Sequence, residues 1–426
     1  MKINKFGGAS IKDAKCMENV ANIIATLDQQ NNIIVVSAIG KTTNLLESIA
    51  EAYFKDKADK WNLFKQLKQN HFAILADLFD NNSPFINSDI ENIFLDLECL
   101  LEKEPTQADY DFYYDQIIPY GEILSSRILS HYLNFKNIKT HWIDSRNFIA
   151  TDDNYREARI DWENTEKIIK NKLSTLAAKS LIVMQGFIGK SGTGATTTLG
   201  REGSDYTAAI LAYCLESKEL TIWKDVAGVM NADPKKFKDA EKLDAMSYNE
   251  AIELAYYGAT VIHPKTIQPL KAKGIPLNVK SFVNPTLQGT HVLESGNLIK
   301  VPCVIVKENQ CLLTFKSKDF SFIAEDNLQH IFAVFASEKS RIHVMQNSAI
   351  SFTCCTDANM QRVEKIMLAL SGGFDIEIQN DVIIKSVYNY PLNKEMAKNK
   401  KALMRQFNES VYHEVAKASD AVFVLE

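Results

Sequence analysis

The sequence predicts an α/β protein built on a mostly parallel sheet, followed by a smaller α+β unit. Three observations carry that prediction. Short apolar runs alternate with segments of helical period, glycine-containing turns follow several of the runs, and the order of elements changes after Gly289.

Lys2–Phe6 reads as a strand, Gly7 and Gly8 break it, and Asp13–Leu27 carries apolar residues at helical spacing. Ile33–Ala38 supplies a second buried strand, and a turn at Ile39–Thr42 leads into a helix over Asn44–Phe54. Residues 55–118 hold Asp, Asn, Lys, Phe and Leu at helical periods without alternation, so they predict a helical excursion from the sheet. Strands resume at His141–Ile143, Leu181–Gln185 and Leu220–Trp223, with helices over Ser204–Leu215 and Ser247–Tyr257. Beyond Gly289, strands at Cys311–Phe315, Ile342–Val344, Ala349–Cys354 and Phe374–Ile378 enclose helices at Asn327–Ser337 and Asn359–Leu370. That order, β-α-β-β-α-β, is a ferredoxin-like unit. A boundary is expected near 290–305, dividing the chain into 1–295 and 296–426. Too few residues follow Asp381 for a complete second such unit. Val382–Val387, a helix near Glu395–Phe407 and Ala421–Leu425 read as its remnant.

A length of 426 residues exceeds what one core usually supports, and the 46% apolar and 24% charged composition is that of a globular protein. The net charge is only −5 and the Lys and Arg residues are scattered, which argues against a nucleic-acid or membrane-surface partner. The seven cysteines show no CxxC pair or metal-ligand spacing and are expected to be buried free thiols. The start, MKINKFGGAS, has too short an apolar stretch for a signal peptide, and no run of about 18 apolar residues exists to span a bilayer. A cytoplasmic location is the expectation.

The chemistry-bearing segments lie at strand ends. Lys5, Gly7 and Gly8 place an ammonium and accessible backbone N–H groups at a βα turn, which suits an anion, although an ordinary turn has the same glycines. Ser37-Ala38-Ile39-Gly40-Lys41-Thr42-Thr43-Asn44 repeats the pattern at the second strand, where Thr43 or Asn44 would serve equally as a helix cap. No G-x-x-x-x-G-K-[ST] loop is present, because the first glycine of Gly186–Ser191 lies too close to its Gly-Lys pair. The richest segment runs from Gln185 to Thr207. In it Arg201 offers a fork for a carboxylate, and Ser204 or Asp205 either caps a helix or faces a metal-bound phosphate. Trp223–Gly228 and Asn231–Lys235 form a strand end and polar turn suited to a nucleotide or to solvent alone. Glu122 opens a helix, where the dipole favours a carboxylate with or without a ligand. His263 before Pro264 reads as structural. Neither a metal cluster of side chains nor a Cys/His or Ser/His/Asp nucleophile is indicated.

Together KFGGAS, VVSAIGKTTNLL, PYGEILSSRIL, QGFIG, TTTLGREGSDYTAAILA, IWKDVAGVMNADPK and YGATVIHPKTIQPL followed by IPLNVKSF resemble, in order over about 1–290, the aspartate kinases of the amino acid kinase superfamily. The resemblance implies a three-layer α/β/α sandwich with an ACT-like regulatory tail, ATP and Mg2+ as cofactors, aspartate as substrate, and a homodimer. By motif, Lys5 would neutralise the transferring phosphoryl group, Gly7 and Gly8 would donate backbone N–H groups, and Ser37 would contact phosphate oxygens. Arg201 would hold a substrate carboxylate, Glu122 the α-ammonium, and Thr43 and Ser204 further substrate oxygens, with Asp205 orienting Lys5 or the metal-phosphate group. Lys224, Asp225, Met230 and Lys235 would line the ATP site. The sequence departs from the family pattern at Ala9, Glu202 (for a small residue), Lys224 (for threonine), Met230 and Thr260 (for lysine), and Lys265 is placed to replace the charge missing at 260. In the tail, His343 stands where an acidic residue is expected, which leaves an effector such as lysine or threonine open. A sibling kinase for another carboxylate, carbamate or UMP, and a silent amino-acid sensor, are the competing readings.

Overall fold

The computed structural model describes residues 1–55, 59–79, 84–105, 109–259, 262–294, 296, 298–319, 321–390, 401–408 and 410–420. They form two compact units, one of Met1–Val229, Asp244–Ala251 and Ile262–Gly296, the other of Met230–Leu243, Ile252–Val261 and the chain from Asn297 onward.

In the first unit β1 (Lys2–Phe6) leads through a 3-10 turn to α1 (Ala14–Ala25), which starts where the Asp13 carboxylate accepts the Cys16 N–H. β2 (Asn32–Val36) and α2 (Thr42–Phe54) follow, and Lys41 is the N-cap without a side-chain hydrogen bond, so neither Thr43 nor Asn44 caps this helix. The helical excursion is α3 (Lys60–Phe79), α4 (Pro84–Glu102) and α5 (Tyr110–Ile117), and α6 (Tyr120–Phe135) returns the chain to the sheet. β3 (Thr140–Ile143), β4 (Ala150–Thr151), α7 (Trp162–Ile168), α8 (Ser174–Ala177) and β5 (Leu181–Gln185) come next. A hairpin of β6 (Ile188–Ser191) and β7 (Thr196–Thr198) then precedes α9 (Gly203–Cys214) and β8 (Glu219–Lys224). The last elements that start here are β9 (Ala245–Ser247), α10 (Tyr248–Tyr257), α11 (Pro264–Lys273), β10 (Leu277–Ser281) and β11 (Thr290–Leu293).

The main sheet runs β3-β5-β2-β1-β8-β10-β11-β9, parallel except between β10 and β11. Both faces are covered, as the unbroken apolar runs require. Ile34, Val36, Leu181 and Val183 join one cluster with residues of α1 to α6, while the alternate Ile33, Val35, Ile182 and Met184, equally buried, face the other way. α9 packs against β1, β2 and β8 from outside that cluster. The result is the expected three-layer sandwich. His263 is structural, as expected, since its Nδ1 accepts the Lys265 N–H at the start of α11.

The second unit is an antiparallel sheet in the order β13-β14-β12-β15-β17-β16, made of β12 (Cys303–Ser317), β13 (Ile342–Asn347), β14 (Ser351–Asp357), β15 (Phe374–Tyr388), β16 (Met404–Phe407) and β17 (Val411–Lys417). With α12 (Glu325–Ser337) and α13 (Met360–Leu370) it contains the ferredoxin-like order read from sequence. Cys311, Leu313, Phe315, Ile331, Phe335, Phe352, Cys354 and Val363 form the core beneath the helices. Of the helix expected over 395–407, residues 395–400 lie outside the described residues and Met404–Phe407 is a strand, paired residue by residue with Val415 to Tyr412. The strand expected at 421–425 also lies outside them. All seven cysteines are free, but Cys99 is exposed and Cys16 half-buried, because each falls on a helix face that the core leaves uncovered.

Candidate active site

Parallel sheets gather turns and helix starts at the C-terminal ends of their strands, and the candidate residues meet there. Lys5, one residue from the end of β1, is buried, and its Nζ lies 2.6 Å from Asp205 Oδ1 in the first turn of α9. Lys224 ends the neighbouring strand β8 and brings its Nζ to 3.3 Å from the other oxygen, Asp205 Oδ2, and to 3.7 Å from Glu202 Oε2. Burial alone would raise the Asp205 carboxyl, but the two ammonium groups hold it well below the usual carboxylate range. Asp205 is therefore an ionised bridge between two cations.

The glycines allow the turns to close. A Cβ on Gly8 would lie 2.7 Å from the Ala38 carbonyl oxygen and one on Gly121 2.9 Å from the Ala38 side chain, so the turns after β1 and β2 and the start of α6 pack with no room between them. Gly40 donates its N–H to the Gly8 carbonyl at 3.1 Å. This packing seals Glu122 in: one carboxylate oxygen accepts the Ala38 N–H at 3.3 Å, and the other has no hydrogen-bond partner among the described residues. Burial pushes the Glu122 carboxyl up to about 8, against the opposing pull of the Ala38 N–H and of Lys5. A buried carboxyl with an oxygen unused among the described residues has a place for a cation that would take over from its proton.

Ser37 follows β2, half-buried, its N–H bonded to the Phe6 carbonyl and its own carbonyl accepting the Ser125 hydroxyl at 2.7 Å. Thr43 is half-buried in the first turn of α2. Ser204 is buried in the first turn of α9, where a Cβ on Gly186 would fall 2.4 Å from the Ser204 Cβ, so Gly186 lets β5 and α9 approach. Arg201 is exposed on the turn before α9, and among the described residues its guanidinium has no ion-pair partner. Lys265 Nζ sits 3.7 Å from where a Gly200 Cβ would be, beside that same turn. Asp225 is exposed just past Lys224. Met230 and Lys235 belong to the second unit, where Met230 bridges to Lys242 and the Lys235 N–H bonds Asp233 Oδ1 at 2.9 Å. Thr260 lies outside the described residues.

Two features were missed by sequence reasoning. Asp115 of α5, fully buried, accepts the Thr198 hydroxyl and N–H at 2.7 and 2.8 Å and the Arg156 N–H at 2.9 Å, which fixes β7 just before the Arg201 turn. Burial pushes its carboxyl up to about 6. Nothing in DFYYDQI marks it, since its partners lie far along the chain. The contact of Glu202 with Lys224 was missed for the same reason, although both positions stood out singly. In the second unit a cavity of about 490 Å³ is lined by Tyr256, Tyr257, Phe332, His343, Asn408 and His413 among others. His343 lies 3.1 Å from Lys307 Nζ through Nδ1 and 3.0 Å from Asp357 through Nε2. Among the described residues no group of three or more His, Cys, Asp or Glu is placed to hold a metal, and no helix is long and apolar enough to cross a membrane.

The chain is similar to several known proteins. Residues 1–281 match the model of the amino acid kinase family. Lysine-sensitive aspartokinase 3 of Escherichia coli is 28% identical over 92% of this chain and 88% of its own length. The crystal structure of E. coli aspartokinase III with lysine and aspartate superposes with a TM-score of 0.84 at 26% identity, covering 99% of this chain and 97% of that one. The same enzyme with aspartate and ADP gives 0.81 at the same identity and coverage. With the parallel sandwich, the paired lysines at its strand ends and the matched family model over its first 281 residues, the chain belongs to the amino acid kinase family.

Proposed function

We propose that the protein is an aspartate kinase, transferring the γ-phosphoryl group of ATP to the side-chain carboxylate of L-aspartate. The observation that carries this reading is the pairing of opposite receptors at one sheet edge: a buried carboxylate with an unused oxygen at Glu122, for an ammonium, and the Lys5–Asp205–Lys224 charge cluster, for phosphates. The exposed guanidinium of Arg201 supplies a fork for the α-carboxylate, with Thr43 and Ser204 beside the remaining substrate oxygens. The relative that binds both aspartate and ADP supports the same pair of ligands here.

The substrate carboxylate is already ionised at neutral pH, so it attacks the γ-phosphorus directly. An O–P bond forms as the bond to the β–γ bridging oxygen breaks, giving aspartyl phosphate and ADP, and no protein base is needed. Lys5, held by Asp205, offsets the charge that spreads over the phosphoryl oxygens, with the N–H groups of Gly7 and Gly8 in the turn beside it and Ser37 at the end of β2 as a further phosphate contact. In the first unit, Lys224 and Asp225 are assigned to the nucleotide. A magnesium ion fits a site with so few carboxylates, because Mg2+ keeps its waters and binds chiefly through substrate phosphates, where it would neutralise their charge. The homodimer and cytoplasmic location belong to the same reading.

The test is the purified chain with Mg-ATP and aspartate, trapping aspartyl phosphate as its hydroxamate. Signal with aspartate but not glutamate, abolished by Lys5→Ala, is expected; ATP binding without hydroxamate would favour a silent sensor. The ACT-like sheet and the lysine complex of the relative support an amino-acid effector at the second unit. Here His343 replaces the expected acidic residue and stands between Lys307 at 3.1 Å and Asp357 at 3.0 Å, a cation and a carboxylate together, which leaves lysine and threonine both as candidate effectors. Adding each amino acid to the assay tests this.

A further inference from the structure

Glu202 and Lys224 touch each other. They stand 22 residues apart, at the start of α9 and the end of β8, and their charged groups approach to 3.7 Å. The backbone at Glu202 is left-handed, φ 56° and ψ 25°, which is unfavourable for a residue with a side chain and free for glycine. A carboxylate kept at such a position points to a function for the charge.

Its surroundings say which function. Lys5 and Asp205 are inner, with side chains 8% and 1% exposed, while Lys224 and Glu202 are outer, at 21% and 25%. A ligand entering at the strand ends thus meets the Glu202–Lys224 pair before it meets Lys5. Because Asp205 presents one oxygen to each lysine, the two ammonium groups flank a single carboxylate, an arrangement suited to neighbouring phosphates of one chain. Two ammoniums and two carboxylates balance.

We infer that Lys224 is a second phosphate-binding cation of the nucleotide site and that Glu202 is its positioning residue, holding the ammonium outward and cancelling its charge until phosphate replaces the carboxylate. This rests on the reading of the site as a kinase nucleotide site. Burial raises the Glu202 carboxyl against the pull of Lys224, so Glu202 gives up its partner easily to a fully ionised phosphate.

Removing either charge alone should act on nucleotide affinity with opposite sign. Lys224→Met leaves Glu202 and Asp205 both facing the phosphates and should weaken binding of MgADP and MgATP about tenfold, while Glu202→Gln leaves an uncancelled ammonium and should tighten it about threefold. E202Q should also slow turnover as product is retained. The double variant restores the balance and should lie within about twofold of the original chain. Calorimetric titration with MgADP reads affinity without turnover, and Gln keeps the shape of Glu, so misfolding is not confused with the effect. Unchanged affinity in K224M, or both single variants weakening binding with the double adding the two losses, overturns the inference. Absence of hydroxamate in the original chain would overturn the kinase reading instead, while the opposite-sign pattern with MgADP would still establish the clamp.

Discussion

Replacing Glu122 by Gln keeps the side chain's shape and removes its charge, so it isolates what sealing a carboxylate at the start of α6 does to the fold. In the unliganded chain burial lifts this group from 4.5 to about 8, which at 1.36 kcal/mol per pH unit bounds the effect at about 5 kcal/mol. Relaxation and water entry shrink such bounds, and about 2 kcal/mol is expected. The sign follows from proton linkage. A carboxyl whose folded value is raised binds its proton more tightly in the folded chain, so stability is greatest while it is protonated and falls as pH rises from 4.5 to about 8. The E122Q chain lacks that fall. It should match the original near pH 5 and exceed it near pH 8.5 by about 4–8 °C in thermal midpoint. Millimolar aspartate should reverse the order at the higher pH, because its ammonium pairs with the carboxylate and has little to gain from an amide. Thermal and urea midpoints across this pH range, with and without aspartate, decide the matter. A pH-independent difference, or an E122Q chain less stable than the original without ligand near pH 8.5, would mean that Glu122 is ionised and satisfied within the protein and holds no place for an ammonium.

Arg201→Lys keeps the charge but loses the planar fork, so KM for aspartate should rise about 30-fold or more with a smaller change in kcat, read from hydroxamate initial rates. Gly8→Ala places a Cβ 2.7 Å from a backbone carbonyl that cannot move aside; it should cost about 2 kcal/mol in urea unfolding and reduce turnover by more than that loss explains. Asp115→Asn replaces an acceptor of three hydrogen bonds by an amide that must point its NH2 at a donor. A loss of about 2 kcal/mol is expected, with faster proteolysis around Arg156.

Much of the first unit was legible because its signals are local. The run Ile33–Val36 is apolar at every position because both sheet faces are covered, and the glycines after β1 are needed within a few residues of where they occur. Lys5 and Asp205 were legible as site residues, but their ion pair joins positions 200 residues apart and only the fold brings them together. Glu122 was read as a carboxylate at a helix start; its burial comes with the close packing of Gly8, Ala38 and Gly121, a three-element contact that periodicity cannot express. The strand Met404–Phe407 was read as helix since MRQF lacks alternation, and what makes it a strand is its partner Val411–Lys417.

In the second unit, β12 and β15 are each 15 residues long and pair antiparallel from Cys303 with Tyr388 to Ser317 with Phe374, bulged near Gln310. Each therefore serves the helix-covered half of the sheet with one end and the β16–β17 half with the other. The two halves share their backbone, so neither can melt as a separate foldon. A chain shortened at Asp381 would cut β15 in two and strip Cys303–Lys307 of its partners, exposing a sheet edge of the kind that aggregates. Val382–Tyr388 thus gives Cys303–Lys307 its partners and carries β17, and a ligand gripping either half would stiffen the other through two continuous strands.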